Sequence, residues 1–129
     1  MNRFTRHINQ AIQLAEQNTS RFRLGCVALD RHGNVVVKAT NSMDKTHPMQ
    51  YKYAKKKGRP EAKFLHAECA ALIRAKTDVY TLIVVRLLKN GSLANAMPCE
   101  ICSEAIRIAG VRNVVFSNEF GQVTWEKRW

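Results

Sequence analysis

Apolar residues recur at helical spacing from the start of the chain: Phe4, Ile8, Ala11, Ile12 and Ala15 fall on one face. With Asn2 as a polar N-cap, the pattern predicts an amphipathic helix over residues 3–17. A short apolar run from Leu24 to Leu29, the turn cluster Asp30-Arg31-His32-Gly33-Asn34 and then Val35-Val36-Val37 predict a β-hairpin. Residues 41–64 show little periodicity. A loop of that length inside a compact domain is functional or mobile. His66 to Ala75 is rich in Ala and Leu and predicts a second helix. Tyr80 to Leu88 is the strongest strand, and its unbroken apolar run predicts a central strand covered on both faces. Asn90-Gly91 marks a tight turn. Pro98 ahead of Cys99 opens a third helix, which runs to Ala109 with Gly110 as its C-terminal cap. Val111 to Ser117 predicts a fourth strand, Asn118 to Gly121 a turn, and Gln122 to Trp129 a fifth strand. The order α-β-β-α-β-α-β-β predicts an α/β sheet with helices on its faces.

Composition narrows the class. At 129 residues the chain makes one domain, residues 1–129, and 46% hydrophobic residues with 24% charged is globular composition. No apolar run approaches the roughly 18 residues of a membrane helix. The N-terminus leads into an amphipathic stretch rather than an apolar signal core, which predicts a cytoplasmic protein. In that setting the four cysteines, Cys26, Cys69, Cys99 and Cys102, do not pair as disulfides, and Cys99-x-x-Cys102 reads as metal-binding or redox.

Charge changes the picture further. The net charge is +11, which predicts an anionic substrate or partner. Residues 1–65 hold 13 Lys and Arg against 4 Asp and Glu, residues 66–129 only 8 against 6. The excess peaks at Lys45, Lys52, Lys55, Lys56, Lys57, Arg59 and Lys63, with Tyr51 and Tyr53 between them. Two readings stand: a solvated loop, or a surface for a nucleotide or nucleic acid whose bases stack on tyrosine.

His66-Ala67-Glu68 opens the second helix and Met97-Pro98-Cys99-Glu100-Ile101-Cys102 the third. Cysteines three apart at a helix N-terminus share a face, and the helix dipole there favours thiolate. Two thiolates and one imidazole leave tetrahedral zinc an open position for water, as catalytic sites do. Glu68 is close enough in sequence to reach that water without being a ligand. The competing arrangement is a closed zinc site with Cys69 as fourth ligand. Otherwise Cys69 and Cys26 are small buried residues.

The His66-x-Glu68 and Pro98-Cys99-x-x-Cys102 pair resembles the signature of zinc nucleobase deaminases, and the chain resembles the cytidine/deoxycytidylate deaminase superfamily beyond it. Gly25-Cys26-Val27-Ala28-Leu29 with its hairpin, and Asn41 after it, resemble the family's first hairpin and substrate-contacting asparagine. His66 to Leu72 resembles its second helix, and Val111 to Phe116 the strand after its cysteine helix. The resemblance implies a three-layer fold with a five-stranded mixed sheet flanked by helices. It implies one zinc per chain on His66, Cys99 and Cys102. Glu68 would then pass a proton from the zinc-bound water to the ring nitrogen and later to the departing ammonia. The Ala67 N–H and Met97 carbonyl would read the base edge, and Asn41 would hold the sugar or the base. Relatives imply a homo-oligomer.

Only eight residues follow Gly121, whereas a parallel crossover needs a dozen or more. Strand five is therefore expected antiparallel to strand four, a pattern similar to the free-nucleoside and bacterial toxin deaminases. Lys45-Thr46-His47-Pro48 offers a cation, a hydroxyl and an imidazole for a phosphate, though His47 reads equally as a surface histidine. The expected activity is deamination of cytosine in deoxycytidylate or a similar nucleotide. The alternatives are single-stranded DNA or RNA as substrate, tRNA adenosine as substrate, or a non-catalytic zinc-containing module that binds nucleic acid.

Overall fold

The computed structural model describes residues 4–18, 23–41, 67–75 and 77–127, with the side chains of all but Cys69 and Glu100. Helix α1 spans Thr5–Gln17, and β1 (Arg23–Leu29) and β2 (Val35–Thr40) form the first hairpin. Helix α2 (Ala67–Arg74) leads to β3 (Thr81–Leu87), the two-residue β4 (Leu93–Ala94) and helix α3 (Glu100–Ala109). Strands β5 (Asn113–Ser117) and β6 (Val123–Lys127) close the chain. The sheet order is β2-β1-β3-β5-β6, with β4 beside β3. Among the described residues, only β3 and β5 run parallel; β1 pairs antiparallel with β2 and β3, and β6 antiparallel with β5. The expected five-stranded mixed sheet and its antiparallel last strand are therefore present, and β4 is an addition.

Period-two alternation splits the core into two layers. Val27, Leu29, Ile83, Val85 and Val115 face α1, packing on Phe4, Ile8, Ala11 and Ala15. Cys26, Ala28, Leu82, Val84, Val114 and Phe116 face the other way, onto Ala67, Ala70 and Ala71 of α2 and Ile106 of α3. Strand β3, with buried residues toward both layers, is the central strand its apolar run predicts. Helix α1 begins later than its sequence pattern implies. Its N-cap is Phe4, which makes no side-chain capping bond, while Asn2 lies outside the described residues. Phe4 is held by packing instead: its ring meets Trp125 of β6 edge-on, 5.3 Å between centroids. Trp125 also donates its indole N–H to Asn113 Oδ1 at 3.0 Å, so it packs the last strand. Trp129 lies outside the described residues.

Three turns share one construction. Asp30, Leu88 and Asn118 each begin a five-residue turn whose fourth residue is a glycine with positive φ, Gly33, Gly91 or Gly121. In two of them the first side chain also caps the turn. Asp30 accepts from the N–H groups of His32 and Asn34, and Asn118 from those of Phe120 and Gln122, all at 2.9–3.0 Å. These backbone donors, Asn34 foremost, hold the Asp30 carboxyl below its ordinary pKa.

Beyond the end of β5, β4 takes over as the neighbour of β3. The fully buried Ser117 joins the two regimes: its Oγ accepts from the Arg86 N–H at 3.2 Å and donates to the Ala94 carbonyl at 2.6 Å. The Ala96 N–H then donates to the Ser117 carbonyl at 2.7 Å, pinning the chain just ahead of the third helix.

Candidate active site

Topology brings the start of two helices to one end of the sheet. Helix α2 leads from its C-terminus into the start of β3, and α3 from its C-terminus into the start of β5. Because β3 and β5 are parallel, both helix N-termini point to the C-terminal ends of these strands, where open α/β sheets bind ligands. The two helices pack against each other on the same face of the sheet. The register of β1 against β3 and β2 puts Arg23, Leu87 and Thr40 at this same end, so Asn41, one residue past β2, is there too.

Helix α3 stops where the sequence predicts. Gly110 adopts φ 76° and ψ 23°, its N–H returns to Arg107, and the Val111 N–H returns to Ile106. At its start Cys99 is the N-cap residue, extended and half-buried, and Cys102 lies in the first turn, fully buried. Both thiols therefore stand at the positive end of the helix dipole, which favours thiolate. The Ser103 N–H bonds the Cys99 carbonyl at 2.8 Å, fixing the first turn. Pro98, buried, lies just outside the helix.

Glu68 sits in the first turn of α2 and is 4% exposed, an unusual place for a carboxylate without a functional demand. Ala67, the first residue of α2, is fully buried, and its N–H belongs to the helix's N-terminal donors. Met97 is exposed. Its N–H donates to Asn95 Oδ1 at 3.1 Å, which orients the peptide leading to Pro98. Asn41 is buried, and its Oδ1 accepts from Asn18 Nδ2 at 2.7 Å and from the Leu24 N–H at 3.1 Å.

The structure thus brings Glu68, Ala67, Met97, Cys99, Cys102 and Asn41 to one end of one sheet. His66, Lys45, His47, Lys52, Lys55, Lys56, Lys57, Arg59 and Lys63 lie outside the described residues, as does the side chain of Cys69. Two polar residues at this end escape a reading of motifs, Asn18 and Asn95. Each acts through a tertiary or turn contact, and only the position of Asn18, directly after the first helix, hints at it.

The donor set suits zinc. Two thiols at a helix N-terminus, with a histidine next in sequence to the first residue of α2, are the residue types that could hold tetrahedral zinc and leave it one open position. The buried Glu68 and the thiol pair thus lie on two helices that pack together on one face of a mixed sheet. The sequence family described as the cytidine and deoxycytidylate deaminase zinc-binding region matches residues 1–118, and the chain belongs to it. Zinc is accordingly its cofactor, one ion per chain, and family membership supports hydrolytic deamination of cytosine nucleosides or nucleotides. Two solved structures share the fold. The cytidine deaminase from Mycobacterium tuberculosis is 24% identical, covers 84% of this chain and 79% of its own, and has a TM-score of 0.53. The dCMP deaminase from the cyanophage S-TIM5, solved in complex with dCMP and dUMP, is 19% identical, covers 89% and 80%, and has a TM-score of 0.56. No curated protein matches the chain. Among the described residues, no helix is long and apolar enough to cross a membrane.

Proposed function

We propose that the chain, as a single domain over residues 1–129, hydrolyses cytosine to uracil with release of ammonia in deoxycytidylate or a similar nucleotide. The observation that carries the reading is the buried Glu68 carboxylate on a helix packed against the one that opens with Cys99 and Cys102. His66, Cys99 and Cys102 hold the metal. Bound zinc supplies water activated near neutral pH. Glu68 would take one proton of that water and give it to the ring nitrogen, then take the second from the added hydroxyl and give it to the leaving amine. One carboxylate serves as base and acid because the destination of its proton changes during the cycle. Its burial excludes bulk water as a competing donor and strengthens each charge interaction it makes.

The Ala67 N–H and the Met97 carbonyl offer a donor and an acceptor to the base edge, and Asn41 holds the sugar or the base. Lys45 and His47 neutralise the phosphate. The remaining cations, Lys52, Lys55, Lys56, Lys57, Arg59 and Lys63, exceed what one phosphate requires. That excess favours a second reading, single-stranded DNA or RNA as substrate. The enzyme works as a cytoplasmic homo-oligomer.

A panel of deoxycytidine, dCMP, single-stranded DNA and RNA, read by mass for the gain of about 1 Da that deamination brings, tests the reading. Turnover is expected on dCMP. Turnover confined to strands selects the second reading, and release of no ammonia from cytosine or adenine in nucleoside, nucleotide or strand form removes the enzyme and leaves a zinc-containing binding module.

A further inference from the structure

The site's asparagine is held from the opposite layer of the molecule. Alternation along β2 puts Ala39 on the α2 side, and residue 41 shares that side. Asn18 is the C-cap of α1, which packs on the other face. It reaches the end of the sheet and donates its amide to Asn41 Oδ1 at 2.7 Å and, more weakly, to the Asn41 carbonyl at 3.3 Å. The Leu24 N–H, at the start of β1, donates to the same Oδ1 at 3.1 Å.

These contacts fix the chemistry of the Asn41 amide. Leu24 N–H is a donor only, so the atom it meets must be the oxygen. With two donors already on Oδ1, its two lone-pair sites are taken. Substrate recognition by Asn41 then falls to its NH2 group. We propose that Asn18 is a positioning residue: it locks Asn41 so that Asn41 meets the substrate as a hydrogen-bond donor. The matching substrate atom is an acceptor, a sugar oxygen or the carbonyl oxygen of the base. The inference rests on the nucleoside-processing reading above and adds to it the polarity of one contact and the residue that sets it.

The lock also explains why an asparagine suits this position better than an aspartate. Aspartate would keep both bonds to Asn18 and Leu24 but would present a second acceptor to the substrate. The end of α1 thereby acquires a role in the site although α1 shares no layer with α2 or α3.

Steady-state kinetics of Asn18→Ala on the best substrate of the panel test this. KM should rise about five- to tenfold, as for one lost hydrogen bond, with kcat within about twofold and zinc content and melting temperature near wild type. In an Asn41→Ala background the same substitution should change KM by less than about twofold, because the group it positions is gone. Asn41→Asp should raise KM for an uncharged nucleoside while leaving the fold intact. Substrates lacking the 2′- or 3′-hydroxyl separate the two acceptor sources: an oxygen that Asn41 contacts is one whose removal abolishes the effect of Asn18→Ala, and an effect that survives both removals assigns the base carbonyl. An unchanged KM in Asn18→Ala, or an equal rise in both backgrounds, overturns the proposal. If Asn18→Ala does not fold, Asn18→Asp, of the same size but without the donor, replaces it. If the wild-type protein deaminates nothing, the functional reading fails separately. The lock is then read from the side-chain amide resonances of Asn41, which should move in Asn18→Ala; unmoved resonances overturn it.

Discussion

Gly25 of β1 lies directly against the backbone of α1: a Cβ built on it would stand 2.0 Å from the Ala11 carbonyl oxygen and 2.9 Å from the Ala15 nitrogen. Backbone cannot step aside as a side-chain tip can, so any residue larger than glycine forces helix and sheet apart. Gly25→Ala should lower unfolding stability by about 3 kcal/mol, at the upper end of overpacking costs. Gly33→Ala, where φ is +85° but the space is open, should cost only about 1 kcal/mol. Denaturant melts of the two variants check the ranking, and a Gly25→Ala protein as stable as Gly33→Ala would contradict the close packing.

Glu68→Gln keeps shape and hydrogen-bonding reach but cannot carry the proton. It should retain one zinc per chain and lose turnover by about 10²–10⁴-fold. Metal analysis and single-turnover assays check this. Near-normal turnover in the variant removes Glu68 from the proton path.

Cys99→Ala removes one of the three proposed zinc ligands. Zinc content should fall toward zero and the melting temperature with it, because metal binding and folding share free energy. Chelation of the wild-type protein should reproduce the loss of stability, and added zinc should restore the wild type but not the variant.

Replacing Lys55, Lys56 and Lys57 together with alanine should separate the two substrate readings. If strands are substrates, KM for single-stranded DNA rises about tenfold and the salt dependence of binding weakens by about two counterions, while dCMP changes by less than about twofold. Equal effects on both substrates count against a strand-binding segment.

Asp30 has a pH signature with a definite sign. Its carboxyl is held below the ordinary carboxylate value chiefly by the N–H of Asn34, with desolvation opposing and the N–H of His32 adding a lesser lowering. Its contribution to stability is present above the unfolded value of about 3.9 and is lost as pH falls through the lowered folded value. Carboxyl NMR titration should find Asp30 below that value. Asp30→Asn, which keeps the acceptor, should flatten the acid limb of the stability curve in that window.

Much of the fold was legible in local pattern. The apolar face of residues 4–15, the unbroken run of β3 and the Gly110 stop each encode their element within a few residues, through periodicity or backbone conformation. The thiol pair was legible for the same reason, since spacing three at a helix start determines a shared face. Local pattern failed where tertiary contacts decide. Phe4 replaced a polar N-cap because its ring is buried against Trp125, and β4 is two residues that pair only because β5 ends and leaves β3 exposed.

The sequence by itself determined the spacing of the thiol pair, the glutamate two residues beyond the histidine, and the order of the elements other than β4. These are encoded by residue spacing and local periodicity. Only the tertiary structure decided that α2 and α3 begin at the same end of the sheet as Asn41, and that Asn18 from the opposite layer turns the amide of Asn41. Residues 23 positions apart meet there because strand register, set by burial over the whole sheet, brings the end of α1 against the end of β2.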